Sequence, residues 1–547
     1  MYYLSRRDLL RWGIASGGAA ALAGALRNSR GDSLPSSPPT TPFVLELLPG
    51  RGIPPVKQTV APFPTLRDTG DTVNPDGTKP FHVSGPRTVP KNTAFYKIHT
   101  REVAHTFHPQ LPPNQLWGYD GSIPGPTIVS RSGTPQLVRF FNDLPQNDPV
   151  GIGEPINAIH RHGGFQAPED DGYPLDTFSS GQSRDYFYPN RPDEGLQQNE
   201  HSTLWYHDHS IDVTGPNVYR GLAGFYPNFN SLDTGNESDY PPALGLPSGE
   251  FYIGLVLQDR QFDKNGFLIF DSFDHNGFIG DKFLVNGLIQ PYLQVARRKY
   301  RFRVLNGSNA RIYELALSNG QDFAAIATDS HLLEHPVWVK RFRIGPAERV
   351  EVIVDFSHTS LKDEIFLVNR LRQTDGRKPD ELVSLSQGTP LLKFKVNRDA
   401  NDKSRVPNTL LPVTEGPLQL LPKVKVQRRF EFERSHGAWV INGEFFDENR
   451  INAKPKRGVP EIWILESGGG WVHPVHIHLS EFFILSRDGA SPLPLEQGRK
   501  DTVLIGGDFG SVMILIKFAE FTGRYVFHCH NIEHEDMRMM GQFEVQP

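Results

Sequence analysis

In the segment KYRFRVLNGS, Tyr300, Phe302 and Val304 alternate with Arg301 and Arg303 before Asn306-Gly307. A period of two closed by a turn dipeptide predicts a half-buried strand, with the apolar side on a core and the arginines toward solvent. A related pattern occurs three times: an Asp/Asn-Gly turn, an extended segment, then a strand ending in polar turn residues. The turns are Asp120-Gly121, Asn286-Gly287 and Asn442-Gly443, 166 and 156 residues apart. They lead into PGPTIVSRSGTPQLVRFFNDL, QPYLQVARRKYRFRVLNGS and INAKPKRGVPEIWILESG. Repetition at this spacing implies duplicated units, each reading as a β-sandwich. The units are expected at residues 61–230, 248–396 and 422–547, with turn-rich linkers around 227–247 and 397–421.

Composition agrees with this pattern. A chain of 547 residues exceeds what one hydrophobic core supports, and 51 glycines, 46 prolines and 36 phenylalanines favour short strands joined by tight turns. The fold class expected is all-β. A net charge of −5, with both signs spread along the chain, offers no basic face to nucleic acid or to an anionic membrane. The single cysteine, Cys529, excludes an intrachain disulfide and a Cys-rich zinc module.

The N-terminus reads as a targeting segment. Arg6-Arg7 precedes an apolar, Ala/Gly-rich run from Trp12 to Leu26, with small residues spaced for cleavage at Ala21, Ala23 and Ala25. This is the pattern of a twin-arginine signal peptide over residues 1–26, which implies recognition by the twin-arginine export machinery and a periplasmic or secreted destination. No later segment is long and apolar enough to span a membrane. Residues 27–60, rich in Pro, Ser and Thr, are expected to form a flexible arm.

The chemistry lies in the histidines. Ten of the 20 fall in four clusters: His160 and His162; His207 and His209; His473, His476 and His478; and His528 and His530 with His534 following. On a strand, residues i and i+2 share a face, so each His-x-His sets two imidazoles side by side, as adjacent metal ions require. The clusters occur in the first and third units and are missing from the second, which is expected to hold the other two together. Cys529, His534 and a methionine in FHCHNIEHEDMRMM supply a thiolate, an imidazole and a weak thioether. With one more distant His, that set makes a type 1 copper site. Alternation also puts Cys529 on the face opposite His528 and His530, so one short peptide joins two kinds of metal site.

These clusters, with the segments WGYDGSIPGPTI and LWYHDHS, resemble multicopper oxidases, in particular the branch of bacterial spore-coat laccases, bilirubin oxidases and phenoxazinone synthases. The resemblance runs from about residue 85 to the C-terminus. It implies three cupredoxin-like domains and about four coppers per chain. The type 1 copper would take His473, Cys529, His534 and Met539, the methionine ten residues after Cys529. The type 2 copper would take His160 and His476. The type 3 pair would take His162, His207, His209, His478, His528 and His530. Asp171, nine residues after His162, and Glu535, beside His534, are the implied proton-handling carboxylates, although each also reads as part of an ordinary acidic stretch. The activity implied is one-electron oxidation of phenolic or aromatic amine donors, taken up in a shallow pocket beside an exposed His473 or His534, coupled to reduction of O2 to water. Bilirubin and metal ions (Mn2+ or Cu+) are the alternative donors. A copper-binding electron carrier, a copper-free structural relative or a copper nitrite reductase would need fewer histidines.

Overall fold

Each of the three repeated turns closes a two-residue hairpin. Asp120, Asn286 and Asn442 have φ of 49°, 49° and 54°, and the glycines that follow have φ of 69°, 77° and 76°. Two consecutive left-handed residues make the turn whose twist matches that of flanking strands, and Asx-Gly is the pair that adopts it most cheaply. The flanking residues pair as Tyr119 with Ser122, Val285 with Leu288, and Ile441 with Glu444.

The computed structural model describes residues 34–48, 90, 92–191, 202–272, 275–412, 415–507, 510–519 and 521–547. The targeting segment expected over residues 1–26 lies outside the described residues. Strands fall in three groups, spanning residues 94–229, 252–399 and 427–545, and each group forms two main sheets. The first group has two four-stranded sheets. The second has an eight-stranded and a five-stranded sheet, and the third a six-stranded and a four-stranded one. Apolar side chains of facing sheets fill each interior: Trp117, Phe140 and Tyr206 in the first, Phe302, Ile326 and Phe394 in the second, Trp463, Phe527 and Phe543 in the third. Among the described residues, no helix is long and apolar enough to cross a membrane.

Two expectations are corrected. Part of the arm expected to be flexible over residues 27–60 is docked: Phe43 and Leu47 donate backbone hydrogen bonds to Gln290 and Tyr292, the Ser37 amide donates to Asp281, and Leu47 is buried. Its Pro/Ser/Thr composition looks like a linker, but Leu47 joins the apolar core of the second unit and supplies an anchor that composition does not weigh. Arg301 and Arg303 do not face solvent either; both are 1% exposed. The strand Lys299–Asn306 is covered on its second face by the first unit. Arg301 Nε donates to Glu351 Oε2 at 2.7 Å, and Arg303 donates to the Ser202 carbonyl and to Thr203 Oγ1. Ser202 and Thr203 in turn donate their hydroxyls to Glu351 Oε1.

Burial opposes ionisation of Glu351, but Arg301, Arg303 and the two hydroxyls bring its pKa down to about 2. Glu351→Gln removes one of the two buried carboxylates that face Arg301 and Arg303, leaving Asp233 as the other, and should cost about 3 kcal/mol, read from urea midpoints of the metal-free protein. A carboxylate whose folded pKa is depressed stabilises the fold above its unfolded pKa, and that stability is lost as pH falls through the folded value. The gap between wild type and variant should therefore hold down to about pH 4 and close toward pH 2.

Candidate metal centre

The strand Ile159–His162 pairs with Thr203–Asp208, setting His160 opposite His207. In the third unit Val472–Ile477 pairs with Gly523–Cys529, setting His476 opposite His528. The two pairs of strands face each other across the seam between the first and third units, and all eight imidazoles are buried there. His160 Nε2 and His476 Nε2 are 3.4 Å apart. His162, His207 and His530 bring ring nitrogens within 4.8 Å of one another, as do His209, His478 and His528. Within the last set, His209 Nε2 and His478 Nε2 each lie 3.2 Å from His528 Nε2.

The outer nitrogens of six of these rings are engaged, which fixes the tautomers. His160 Nδ1 donates to the Asp171 carbonyl at 2.6 Å, His207 Nδ1 to the Asp208 carbonyl at 2.8 Å, and His476 Nδ1 to the Asp501 carbonyl at 2.8 Å. His478 Nδ1 donates to Asp171 Oδ2 at 2.7 Å, and His528 Nδ1 is 3.1 Å from Glu535 Oε2. His162 is turned the other way: its Nε2 donates to Asp501 Oδ1 at 3.1 Å. The nitrogens left inside, such as His162 Nδ1 and His207 Nε2, have no protein partner. Burial, aided by the neighbouring rings, lowers the pKa of His160 far below its ordinary value. Burial brings His162 and His209 to about 4. Rings with inward lone pairs, six of the eight held from behind, are a metal site's donors.

The second site lies in the third unit's core. Cys529 Sγ is 3.4 Å from His473 Nδ1 and 3.5 Å from His534 Nδ1, and these two nitrogens are 3.2 Å apart. The Cys529 amide donates to the Met539 carbonyl, which brings the buried Met539 alongside. Burial pushes the Cys529 thiol well up, so it becomes a thiolate only against a cation. A thiolate and two imidazoles in an apolar pocket suit copper.

The exposed histidine expected beside a shallow pocket is absent: His473 and His534 are both 0% exposed. His534 Nε2 donates to the Asn276 carbonyl at 3.2 Å, and its ring stacks on Trp439 with centroids 3.7 Å apart. The Trp439 indole N–H is in turn held by the His275 carbonyl at 2.6 Å. Trp439 belongs to the third unit, while Asn276 and His275 come from a loop of the second, which no local pattern around His534 reveals.

Asp171 and Glu535 are buried against the histidines, not in solvated turns. Burial raises the Asp171 pKa far above the usual carboxylate range, against the opposing Gln166 amide, which donates to Oδ1 at 2.7 Å. Burial also disfavours the Glu535 carboxylate, but His528 and His209 beside it bring its pKa down to about 2. Sequence reasoning missed Asp501, which touches His162 through its carboxylate and His476 through its carbonyl. It stands in the unremarkable run RKDTV, with no motif to mark it.

Comparison with known proteins follows this geometry. Two family models described as multicopper oxidase match residues 100–227 and 418–547. The chain is 36% identical to the bilirubin oxidase of Albifimbria verrucaria over 466 residues, 82% of this chain and 76% of that one. It belongs to the multicopper oxidase family. It is also 32% identical to the laccase of Bacillus subtilis over 528 residues, 86% of this chain and 97% of that one. Among solved structures it resembles the McoA multicopper oxidase of Aquifex aeolicus, with a TM-score of 0.71 and 28% identity over 83% of this chain and 96% of that one. The protein is a laccase-like, copper-dependent oxidoreductase with O2 as its acceptor. Four groups of close donor atoms, His160/His476/His478, His162/His207/His530, His209/His478/His528 and His473/Cys529/His534, the first and third sharing His478, fit about four coppers per chain. Metal analysis of the loaded, blue protein should return that number; a single copper, with no O2 consumed, would leave only an electron carrier.

Proposed function

We propose that this multicopper oxidase takes single electrons from phenols and aromatic amines at a type 1 copper held by His473, Cys529, His534 and Met539. His160 and His476 would hold the type 2 copper. The type 3 pair would divide its ligands as His162, His207 and His530 on one side and His209, His478 and His528 on the other. When bound, copper supplies one-electron acceptance at the first site and four-electron reduction of O2 at the other three. The observation that carries the reading is the gathering of eight buried histidines into close groups of ring nitrogens, with Cys529 between His528 and His530 joining this cluster to the His473/Cys529/His534 group through one peptide. Asp171 is suited to hold and release a proton, since burial raises its pKa while His478 and Gln166 fix its position. Glu535, which faces His528 and His209, is the second carboxylate on this path. Arg6-Arg7 and the apolar run after them support export of the folded, copper-loaded protein by the twin-arginine route to the periplasm or beyond.

An oxygen-uptake screen of the copper-loaded protein against phenols, aminophenols, bilirubin, Cu+ and Mn2+ tests the donor class. Turnover confined to the metal ions would overturn it. Cys529→Ser exchanges a soft thiolate for a hydroxyl, so the blue colour and about one copper should be lost while the eight-histidine site still loads. Met539→Leu should keep the colour and raise the type 1 potential, because a weak axial thioether tunes potential more than it binds; loss of the copper would show the ligand to be strong or misassigned. Asp171→Asn should leave reduction of the blue band by donor unchanged and slow its return under O2, since an amide does not shuttle a proton. Stopped-flow absorbance separates the two directions, and slowed reduction with unchanged reoxidation would remove Asp171 from the relay.

A further inference from the structure

The unit that carries no copper ligand nevertheless reaches the histidine cluster. In the strand Arg349–Asp355, Arg349 is fully buried, and its guanidinium grips the Asp501 carboxylate with two prongs, Nη1 to Oδ1 at 2.8 Å and Nη2 to Oδ2 at 2.5 Å. Asp501 Oδ1 also accepts from His162 Nε2 at 3.1 Å and from Thr502 Oγ1 at 2.9 Å, while Oδ2 accepts from Ser330 Oγ at 2.7 Å. The backbone carbonyl of Asp501 accepts from His476 Nδ1 at 2.8 Å. One aspartate thus backs a ring of the first unit and a ring of the third, and it is clamped by the second. His162, His476 and Asp501 are close enough to read as a metal-binding group in their own right. The carboxylate is already saturated by Arg349, Ser330, Thr502 and His162, however, and the two ring nitrogens involved are those turned away from the other histidines. The group is therefore a support and not a fifth metal site.

The approach of the clamp is tight. Gly163, directly after His162, has φ of 83°, and a Cβ there would lie 2.5 Å from Ser330 Oγ, 2.6 Å from Asp501 Oδ2 and 2.7 Å from Arg349 Nη2. Asp329 completes the frame: its Oδ1 accepts from the Arg349 amide, and its Oδ2 accepts from the amides of Asp501 and Thr502. We propose that Arg349 is a positioning residue of the three-copper centre, holding Asp501 so that His162 presents Nδ1 and His476 presents Nε2 to the metal. The proposal rests on the ligand reading above. Without the guanidinium, the Asp501 carboxylate would be a buried charge with only neutral donors; its residue would shift, loosening both His162, held by the carboxylate, and His476, the type 2 ligand held by the carbonyl.

The test titrates copper-loaded, full-length protein with a chelator while following two signals at once, the type 2 electron paramagnetic resonance and the type 1 blue absorbance. In Arg349→Gln the type 2 signal should disappear at roughly 10- to 100-fold less chelator than in wild type, with the blue midpoint unmoved. Arg349→Lys keeps the charge but not the paired donors and should fall between the two; it also carries the comparison if the glutamine variant does not fold. Arg303→Gln removes another fully buried inter-unit arginine that does not touch Asp501. It should lower the thermal midpoint without separating the two signals. Signals that move together in both Arg349 variants, or an equal separation in Arg303→Gln, would make Arg349 a general structural arginine and overturn the inference alone. A wild-type protein without any type 2 signal would overturn the four-copper reading, and this inference with it.

Discussion

Four imidazoles from the first unit and four from the third meet in a seam closed to water, and no strand pairing among the described residues joins those units. Burial favours the neutral form of His160, His162, His207, His209, His476, His478 and His530, which leaves their lone pairs available, but it also makes every outward N–H costly unless something accepts it. The acceptors are the carbonyls of Asp171, Asp208 and Asp501 and the carboxylates of Asp171, Asp501 and Glu535. Each acceptor decides which nitrogen points inward. The same desolvation that lowers the pKa of those seven imidazoles pushes the Asp171 carboxyl and the Cys529 thiol toward their protonated forms. One physical condition thus prepares metal donors, a held proton and a thiol that ionises only with its metal.

Such a seam works only if two separate units are held in register, and the second unit does this with buried charge. Arg349 and Glu351 stand two residues apart on one strand and so share a face. Glu351 takes Ser202 and Thr203 of the first unit, four to five residues before His207, while Arg349 takes Asp501 of the third and the Thr203 carbonyl of the first. Buried ion pairs of this kind contribute little net stability compared with an apolar packing of the same volume. What they contribute is direction: two-pronged contacts tolerate far less sliding than a hydrophobic surface does. The copper-free unit is better understood as a jig that sets ring orientation than as a spacer.

Sequence revealed what alternation along a single strand determines. The His-x-His pairs, the opposed side of Cys529 and the three Asx-Gly hairpins are all properties of two to four consecutive residues, and they needed no knowledge of partners. Asp501 and Arg349 were invisible for the opposite reason, since their roles exist only where three units meet. Arg301 and Arg303 misled because the period-two rule assumes one wet face, and here the first unit covers it. Residues 34–48 misled because a few anchors such as Phe43 and Leu47 outweigh a linker-like composition. Asp171 and Glu535 were found by resemblance, while their own neighbours in sequence suggested solvated turns.

The covered type 1 site shows the same division between ligand and surroundings. His473, Cys529 and His534 carry the chemistry that a motif can encode, yet none of them meets solvent. A donor outside the protein meets instead the Asn276 loop and the neighbourhood of Trp439, whose ring lies flat on His534 and whose N–H is tied to the His275 carbonyl. Arg434 adds positive charge over the Trp439 face, with its guanidinium carbon 5.3 Å from the ring centroid. Electron transfer tolerates a thin wall of this kind, so the wall does not block the reaction; it decides which molecules can lie close enough to react. The wall a donor meets is therefore built jointly by the Asn276 loop of the copper-free unit and by Trp439 and Arg434 of the third unit, outside the ligand set that defines the family.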